Sequence, residues 1–261
     1  VKTITRALRL AKTGDRIIIA KTKEPYRESL TLFGKKQSGD LFGAFEIVGN
    51  GAILDGTATV RHDSWEYFGD GVYRFHPNKV SHQQLYYNGK PLVRAIPDSP
   101  TGAPPKLESM EWCLLGGYVY FRPEKGHRPQ DYVLAHSSLP TAITLSHVSD
   151  IRITNLVIQG YQLDGINAFN SATNIALDQI ISRGNGRAGI AVGGASTVTL
   201  NECVIGDNGE AQILTLPYSK TNILQSELIP NTAPALVAQG GEVTLDGQSV
   251  DLTSIETAEE E

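Results

Sequence analysis

The sequence of 261 residues is 40% hydrophobic and 20% charged, the balance of a globular protein that can bury a full core. A membrane-spanning helix requires an apolar run of about 18 residues, and the sequence has no apolar run close to that length, so no transmembrane segment is expected. The net charge of −5 falls mostly on an acidic tail at residues 251–261, and the nearly neutral body argues against nucleic acid as a partner.

Residues 1–56 are predicted to hold a capping helix and the first strands of the fold. An apolar stripe at helical spacing is formed by Ile4, Ala7, Leu8 and Ala11. The opposite face is basic and carries Arg6, Arg9 and Lys12. Gly14 follows as a stop signal. Such a helix would cover the exposed end of a stack of strands. Three segments then predict strands with glycine-rich corners: RIIIA (16–20), SLTLFG (29–34) and FEIVGNGAILDG (45–56).

Residues 57–130 interrupt this pattern and predict an inserted antiparallel β-module. QLYYNGKPLV (84–93) is typical of a hairpin with Asn88 and Gly89 in a type I′ turn. EWCLLGGYVYFRP (111–123) predicts a second hairpin, and a proline-rich loop at 96–105 separates the two. The aromatic residues of this module either form the core of a small sheet or line a groove where they stack on sugar rings.

Residues 131–250 repeat with a period that defines the fold. An apolar anchor returns at separations of 23 or 24 residues, at Ile143, Ile166, Ile190, Ile213 and Leu236. Each unit predicts three short strands with a bend at polar residues, namely Asn155, Asp178-Gln179, Asn201-Glu202 and Gln225. A unit of this size cannot bury its inward side chains alone, so successive units must stack with their strands parallel. Leucine-rich repeats have a similar period, but they need a leucine-rich consensus and one strand per unit. This sequence has neither, so a leucine-rich repeat is not favoured.

We therefore predict an all-β fold, a right-handed parallel β-helix built from one chain, with an N-terminal capping helix and a small antiparallel insert. DYVLAHSS (131–138) is predicted to rejoin the stack after the insert. The sequence suggests no cap for the last coil, which would leave that end open for self-association.

Two stretches also resemble a known family. The run TITRALRLAKTGDRIIIAKTKEPYRESLTL, followed by IVGNGAILDG, resembles the opening of the pectin-lyase-like β-helix superfamily. The resemblance covers residues 1–56 and 143 to about 250. The insert is similar to a β-module found in many carbohydrate-related β-helix proteins. The resemblance implies a polysaccharide partner and an extracellular or periplasmic location, but this superfamily contains lyases, hydrolases, epimerases and adhesins.

The loops and outward rows of the coils supply the candidate site residues. SRGNGRAG (182–189) places two arginines beside polar residues of neighbouring coils, and arginine grips carboxylates bidentately. A lyase acting on an acidic polysaccharide would use such groups to hold the sugar carboxylate and would need a base nearby. The candidate catalytic residues are Tyr161, Asp164, Arg183 and Arg187, and the candidate substrate-binding residues are Asn167, Phe169, Asn185 and Asn208. The alternative for these loops is salt bridges between stacked coils, such as Arg187 with Glu210.

Calcium is the candidate cofactor, because the acidic oxygens of Asp164, Asp207 and Glu210 come from neighbouring coils. No loop motif fixes their spacing. Cys113 and Cys203 are too far apart in sequence for a cysteine zinc site and are predicted to be free, with Cys203 in the core.

A glycoside hydrolase is a further alternative. QLDGIN (162–167) resembles the N-T-D-G-I-D motif of polygalacturonase-type enzymes, which would make Asp164 a catalytic acid. The following coil, GRAGIAVGG, lacks the additional carboxylates that would activate water. The sequence thus leaves three hypotheses: a lyase on an acidic polysaccharide, a non-catalytic glycan-binding or structural surface protein, and a glycoside hydrolase.

Overall fold

The computed structural model describes residues 1–99 and 102–250. Within these ranges the protein is almost entirely β, with one α-helix. The chain forms two compact units, one from Val1–Gly56 together with the chain from Leu139 onward, and one from Thr57–Ser138. No helix in the described ranges is long and apolar enough to span a membrane.

The helices and strands are numbered in chain order. They are α1 (Ile4–Leu10), β1 (Arg16–Ile18), β2 (Leu30–Phe33), a 3-10 helix η1 (Lys35–Gln37), β3 (Phe45–Asp55), β4 (Thr57–Thr59), η2 (His62–Ser64), β5 (Glu66–Gly69), β6 (Val72–Phe75), β7 (Leu85–Tyr87), β8 (Lys90–Pro91), β9 (Trp112–Leu115), β10 (Tyr118–Phe121), η3 (Pro129–Asp131), β11 (Leu134–Ser137), β12 (Ile143–Ser146), β13 (Ser149–Gln159), β14 (Ile166–Ala168), β15 (Thr173–Arg183), β16 (Ala188–Val192), β17 (Thr197–Asn201), β18 (Val204–Gly206), β19 (Ala211–Thr215), β20 (Lys220–Leu224), β21 (Glu227–Leu228), β22 (Leu236–Ala238), β23 (Glu242–Leu245) and β24 (Gln248–Ser249).

The first unit is a parallel β-helix, as predicted. One sheet has the strand order β2-β12-β14-β16-β19-β22, and the other runs β1-β3-β13-β15-β17-β20-β23. The register pairs each predicted anchor with the next, from Ile143 with Ile166 to Ile213 with Leu236. The four isoleucine anchors are fully buried, so each coil covers the apolar side chains of its neighbour.

The capping helix is also present. Ile4, Leu8 and Ala11 of its predicted stripe are buried against the core of the first coils. The carboxylate of Glu28 accepts the backbone N–H groups of Ile4 and Thr5 at 2.9 Å each, which satisfies donors left open at the first turn.

The coil corners explain why the apolar alternation slips at Thr154-Asn155-Leu156. The corner residues Asn155, Gln179, Glu202 and Gln225 all have positive φ angles, between 46° and 55°. In β13 and β15 the strand continues through the corner, whereas β17 and β18 are separate strands on its two sides. Side chains without a β-branch tolerate this left-handed conformation better than β-branched ones, and Asn does so most readily, which is why the apolar β-branched pattern of the strands is interrupted at the corners.

The second unit contains two four-stranded antiparallel sheets, ordered β5-β6-β10-β9 and β4-β11-β7-β8. Both predicted hairpins are present, and Asn88 and Gly89 have the positive φ angles of a type I′ turn. Most of the aromatic side chains pack in the interior, with Trp112 and Phe121 fully buried. These rings therefore serve mainly as the core of the unit, while Tyr67 and Phe68 are exposed.

The chain returns to the coils later than predicted. We expected residues 131–138 to rejoin the stack, but β11 pairs antiparallel with β4 and β7 in the second unit. The strand completes that sheet, and the second unit accordingly ends at Ser138.

At the other end of the stack, β24 pairs antiparallel with β23. The predicted acidic tail at 251–261 lies outside the described residues, and self-association through the last coil stays a prediction. Both cysteines are free and buried, with Cys203 in the β-helix core as predicted.

The corner conformation generates a stability prediction at Asn155. Replacing Asn155 with Val should destabilise the protein by about 1–2 kcal/mol, because a β-branched side chain is strained at a positive φ angle. Asn155→Gly is the matched control: it also removes the amide but accepts the same backbone angle, so it should cost less. Urea unfolding followed by circular dichroism measures both variants. Equal losses in the two variants would contradict the role assigned to the corner.

Candidate functional site

Two predicted substrate-binding residues lie inside the fold and not on its surface. Asn185 and Asn208 are fully buried. Asn185 Oδ1 accepts the backbone N–H of Tyr161 at 3.2 Å, and Asn208 Oδ1 accepts that of Asn185 at 2.9 Å. Asn208 in turn donates from Nδ2 to Gln212 Oε1 at 2.8 Å. The prediction for Asn185 and Asn208 is therefore wrong: their amides satisfy the backbone of successive coils and do not reach a ligand.

The environment of Tyr161 also argues against a catalytic role. The residue is fully buried, and its hydroxyl donates to the carbonyl oxygen of Glu28 at 2.7 Å. Burial raises the pKa of this phenol far above its usual value, and the charges of Asp55 and Glu28 raise it further. Its ring packs against Gly56, where a Cβ atom would lie 2.7 Å from the ring. Tyr161 thus joins two parts of the β-helix and is unsuited to act as a base.

Asp164 and Arg187 form a bidentate ion pair between adjacent coils. Arg187 Nε donates to Asp164 Oδ1 at 2.9 Å, and Nη2 donates to Oδ2 at 2.6 Å. The Asp164 side chain is 0% exposed and that of Arg187 is 24% exposed. Asn167 Nδ2 donates to the same carboxylate at 2.6 Å. The hydrogen bonds that Arg187 donates to Asp164 are the main cause of the raised pKa of Arg187, and the charge of Glu210 adds to it.

This pairing changes the meaning of the predicted catalytic pair. A carboxylate that already accepts three short hydrogen bonds and is closed to solvent cannot approach a sugar as an acid or a nucleophile in this arrangement. The predicted salt bridge between stacked coils is present at Arg187. Its carboxylate partner is Asp164, whereas the sequence analysis named Glu210.

The three candidate calcium ligands are not brought together. Asp164 is held by Arg187 and Asn167, and Asp207 Oδ1 accepts the amide of Asn231 at 2.6 Å. Glu210 is exposed. Within residues 1–99 and 102–250 there is no group of three or more His, Cys, Asp or Glu residues that could hold a metal ion. The prediction that Asp164, Asp207 and Glu210 together bind one calcium ion is therefore wrong.

The outward row that begins at Asn167 becomes apolar along the stack. Asn167 pairs with Ala191, and Ala191 pairs with Leu214, in successive strands. Ala191 and Leu214 are buried on this outer side, and half-buried Phe169 packs against their cluster. A Cβ atom at Gly193 would lie 3.0 Å from the ring of Phe169. Phe169 thus contributes to packing on the outer face.

Arg183 is exposed, whereas the other candidate catalytic residues, Tyr161, Asp164 and Arg187, are buried or half-buried. It lies at the end of β15, in register with Gln159 of β13 and, through it, with Asp55 of β3. Its Nε and Nη2 donate to Gln159 Oε1 at 3.1 and 3.0 Å, and Gln159 Nε2 donates to Asp55 Oδ2 at 3.2 Å. Among the described residues, Arg183 has no carboxylate within salt-bridge distance. We call Asp55, Gln159 and Arg183 the Arg183 row.

Sequence reasoning found Arg183 but missed its neighbours. Gln159 precedes Arg183 by 24 residues, which is one coil, so the period could have identified it. Asp55 lies 104 residues before Gln159, because the second unit is inserted between their coils.

A family model matches the coils of the first unit. A family model described as "Right handed beta helix region" matches residues 139–251, in agreement with the predicted handedness. No curated protein matches the sequence. Among solved structures, XylC in complex with xylose aligns with a TM-score of 0.44 and 11% identity, over 93% of this chain and 66% of that chain. This chain thus spans slightly less than two thirds of the XylC chain.

The ion pair between coils generates a second stability prediction. Asp164→Asn should destabilise the protein by about 2–3 kcal/mol, because it leaves the half-buried Arg187 without its counter-charge. Asp178→Asn is the matched control, since its partner Arg152 is 54% exposed and such pairs contribute at most about 1 kcal/mol. Urea denaturation gives both values. A loss for Asp164→Asn no larger than that for Asp178→Asn would show that the pair is not structural.

Proposed function

We propose that this protein binds an acidic polysaccharide without cleaving it, and that the Arg183 row holds a sugar carboxylate. The observation that carries the proposal is the exposed guanidinium of Arg183, which is oriented by a side-chain amide and faces solvent without a carboxylate partner in the described part of the chain. An extracellular or periplasmic location belongs to the same proposal, since such polymers occur there.

The hydrogen bonds of Arg183 favour binding of a carboxylate. Gln159 Oε1 accepts from both Nε and Nη2, which fixes the plane of the guanidinium, and Nη1 makes no hydrogen bond to the described residues. A preoriented guanidinium loses less side-chain entropy on binding and can donate two parallel hydrogen bonds to a planar anion. The uronic acid unit of an acidic polysaccharide presents such an anion.

The neighbouring groups of the row extend this surface. Asp55 accepts from Gln159, and Arg27 Nη1 lies 3.7 Å from Asp55 Oδ1 with about half of its side chain exposed. Carboxylate, amide and guanidinium groups together offer the acceptors and donors that sugar hydroxyls use. Because the coils are about 4.8 Å apart, groups from successive coils can contact neighbouring atoms of one extended chain.

Binding without cleavage is favoured over the lyase and the hydrolase because the candidate catalytic groups are engaged elsewhere. Tyr161 is buried with a raised pKa, so it is a poor base. Asp164 is closed to solvent and held by Arg187. Neither group is available for proton transfer to a polysaccharide on the surface.

The proposal predicts that Arg183→Gln weakens binding of polygalacturonate oligomers by about tenfold or more, since hydrogen bonds to charged groups contribute about 1.5–3 kcal/mol. Calorimetric titration at low salt measures the change. Arg152→Gln is the control: Arg152 is also exposed on the β-helix but is paired with Asp178, so its loss should leave binding unchanged.

Equal affinities of the wild type and Arg183→Gln would contradict the proposed site. The same mixtures also test cleavage, because lyase activity creates unsaturated ends that absorb ultraviolet light and hydrolysis releases reducing ends. Either product would replace the binding function with an enzymatic one.

A further inference from the structure

The cations of the chain are concentrated at its N-terminal end. Residues 1–46 contain ten Lys and Arg residues and five Asp and Glu residues, a net charge of +5 in a protein whose total is −5. Such an asymmetry in one segment indicates an anionic partner for that segment.

The fold brings several of these cations together beside the capping helix. Lys36 Nζ donates to the carbonyl oxygen of Arg9 at 2.7 Å, and the hydroxyl of Thr13 donates to that of Lys35 at 3.0 Å. Gln37 Nε2 donates to the carbonyl oxygen of Leu8 at 3.1 Å. These bonds fix the 3-10 helix η1 against the end of α1. We call the exposed side chains at this place the basic end: Arg6, Arg9, Lys12, Lys35 and Lys36.

Four of the five acidic residues of this segment make local interactions. Asp15 Oδ2 accepts the backbone N–H of Lys12 at 2.7 Å, Glu28 accepts the first N–H groups of α1, and Glu46 is paired with Arg16. Asp40 Oδ1 accepts the backbone N–H of Phe42 at 2.8 Å. Asp15 and Asp40 remain exposed, so the five cations of the basic end outnumber the exposed carboxylates of these two residues.

A tight turn next to the basic end exposes two large apolar side chains. Asp40 and Gly43 close the turn through two backbone hydrogen bonds, of 2.9 and 3.3 Å. Leu41 is 100% exposed and Phe42 is 96% exposed. The turn lies close to the end of α1, since a Cβ atom at Gly14 would be 3.6 Å from the Asp40 carboxylate. We call Leu41 and Phe42 the apolar tip.

We propose that the basic end and the apolar tip together dock on an anionic lipid bilayer. Cations attract acidic headgroups, and adjacent exposed apolar side chains enter the boundary between headgroups and acyl chains. An acidic polysaccharide or a nucleic acid would account for the cations but gives Leu41 no apolar environment. Phe33 and Leu10, which are 63% and 54% exposed in the same region, add to the apolar surface.

The test is sedimentation of the full chain with vesicles of phosphatidylcholine alone or of equal parts phosphatidylcholine and phosphatidylglycerol. The wild type should bind the anionic vesicles much more strongly than the neutral ones. Added salt should release it from the anionic vesicles. The double variant Leu41→Ser/Phe42→Ser should bind the anionic vesicles at least about tenfold more weakly, since both side chains lose apolar burial. Lys35→Gln/Lys36→Gln should weaken binding by about tenfold through lost attraction.

Tyr218→Ser is the control, because Tyr218 is 86% exposed on a late coil of the same unit. It should bind as the wild type does. Absence of vesicle binding, or equal binding by Leu41→Ser/Phe42→Ser and the wild type, would overturn the proposal. Retention on immobilised polygalacturonate that depends on Lys35 and Lys36 but not on the apolar tip, without vesicle binding, would assign the basic end to a polyanion instead. Neither result depends on Arg183, so the glycan site is tested separately.

Discussion

The structure depends on the hydrogen bonding and mutual burial of successive coils. A coil of 23 or 24 residues encloses too little volume to shelter its own apolar side chains, so Ile143, Ile166 and Ile190 are buried only because they stack. The same constraint applies to polar groups, because backbone donors in the loops between strands that miss a strand partner must find another. Asn185 and Asn208 meet this need inside the fold.

The stacking constraint determines which polar residues remain for function. Asp164, Asn185, Asn208 and Tyr161 lie in the loops that a polysaccharide would meet, yet each bonds to an adjacent coil. Arg183 is different because its bonds to Gln159 leave part of the guanidinium facing solvent. In a solenoid, a residue type and its position in the repeat therefore do not distinguish binding groups from structural ones; the hydrogen bonds between coils do.

The fold could be predicted from the sequence because the period of the anchors is a direct consequence of stacking. The corners were predictable for the same reason, since polar residues recur where the backbone takes a positive φ angle. The site was less predictable. Arg187 lies 23 residues from both Asp164 and Glu210, and only the burial of Asp164 shows which carboxylate binds it. Asp55 could not be placed beside Gln159, because the inserted unit hides their proximity.

The register of the coils is tested most directly by cysteine pairs on an outward row. Thr199 pairs with Asn222 and Asn222 with Thr244 in successive strands. Neighbouring positions are about 4.8 Å apart, within the Cα range of about 4.4–6.8 Å for a disulfide, and positions two coils apart are about twice as far. Under mild oxidation, Thr199→Cys/Asn222→Cys should form an intramolecular disulfide, and Thr199→Cys/Thr244→Cys should not. The opposite pattern would contradict the stacking on which every site described above depends.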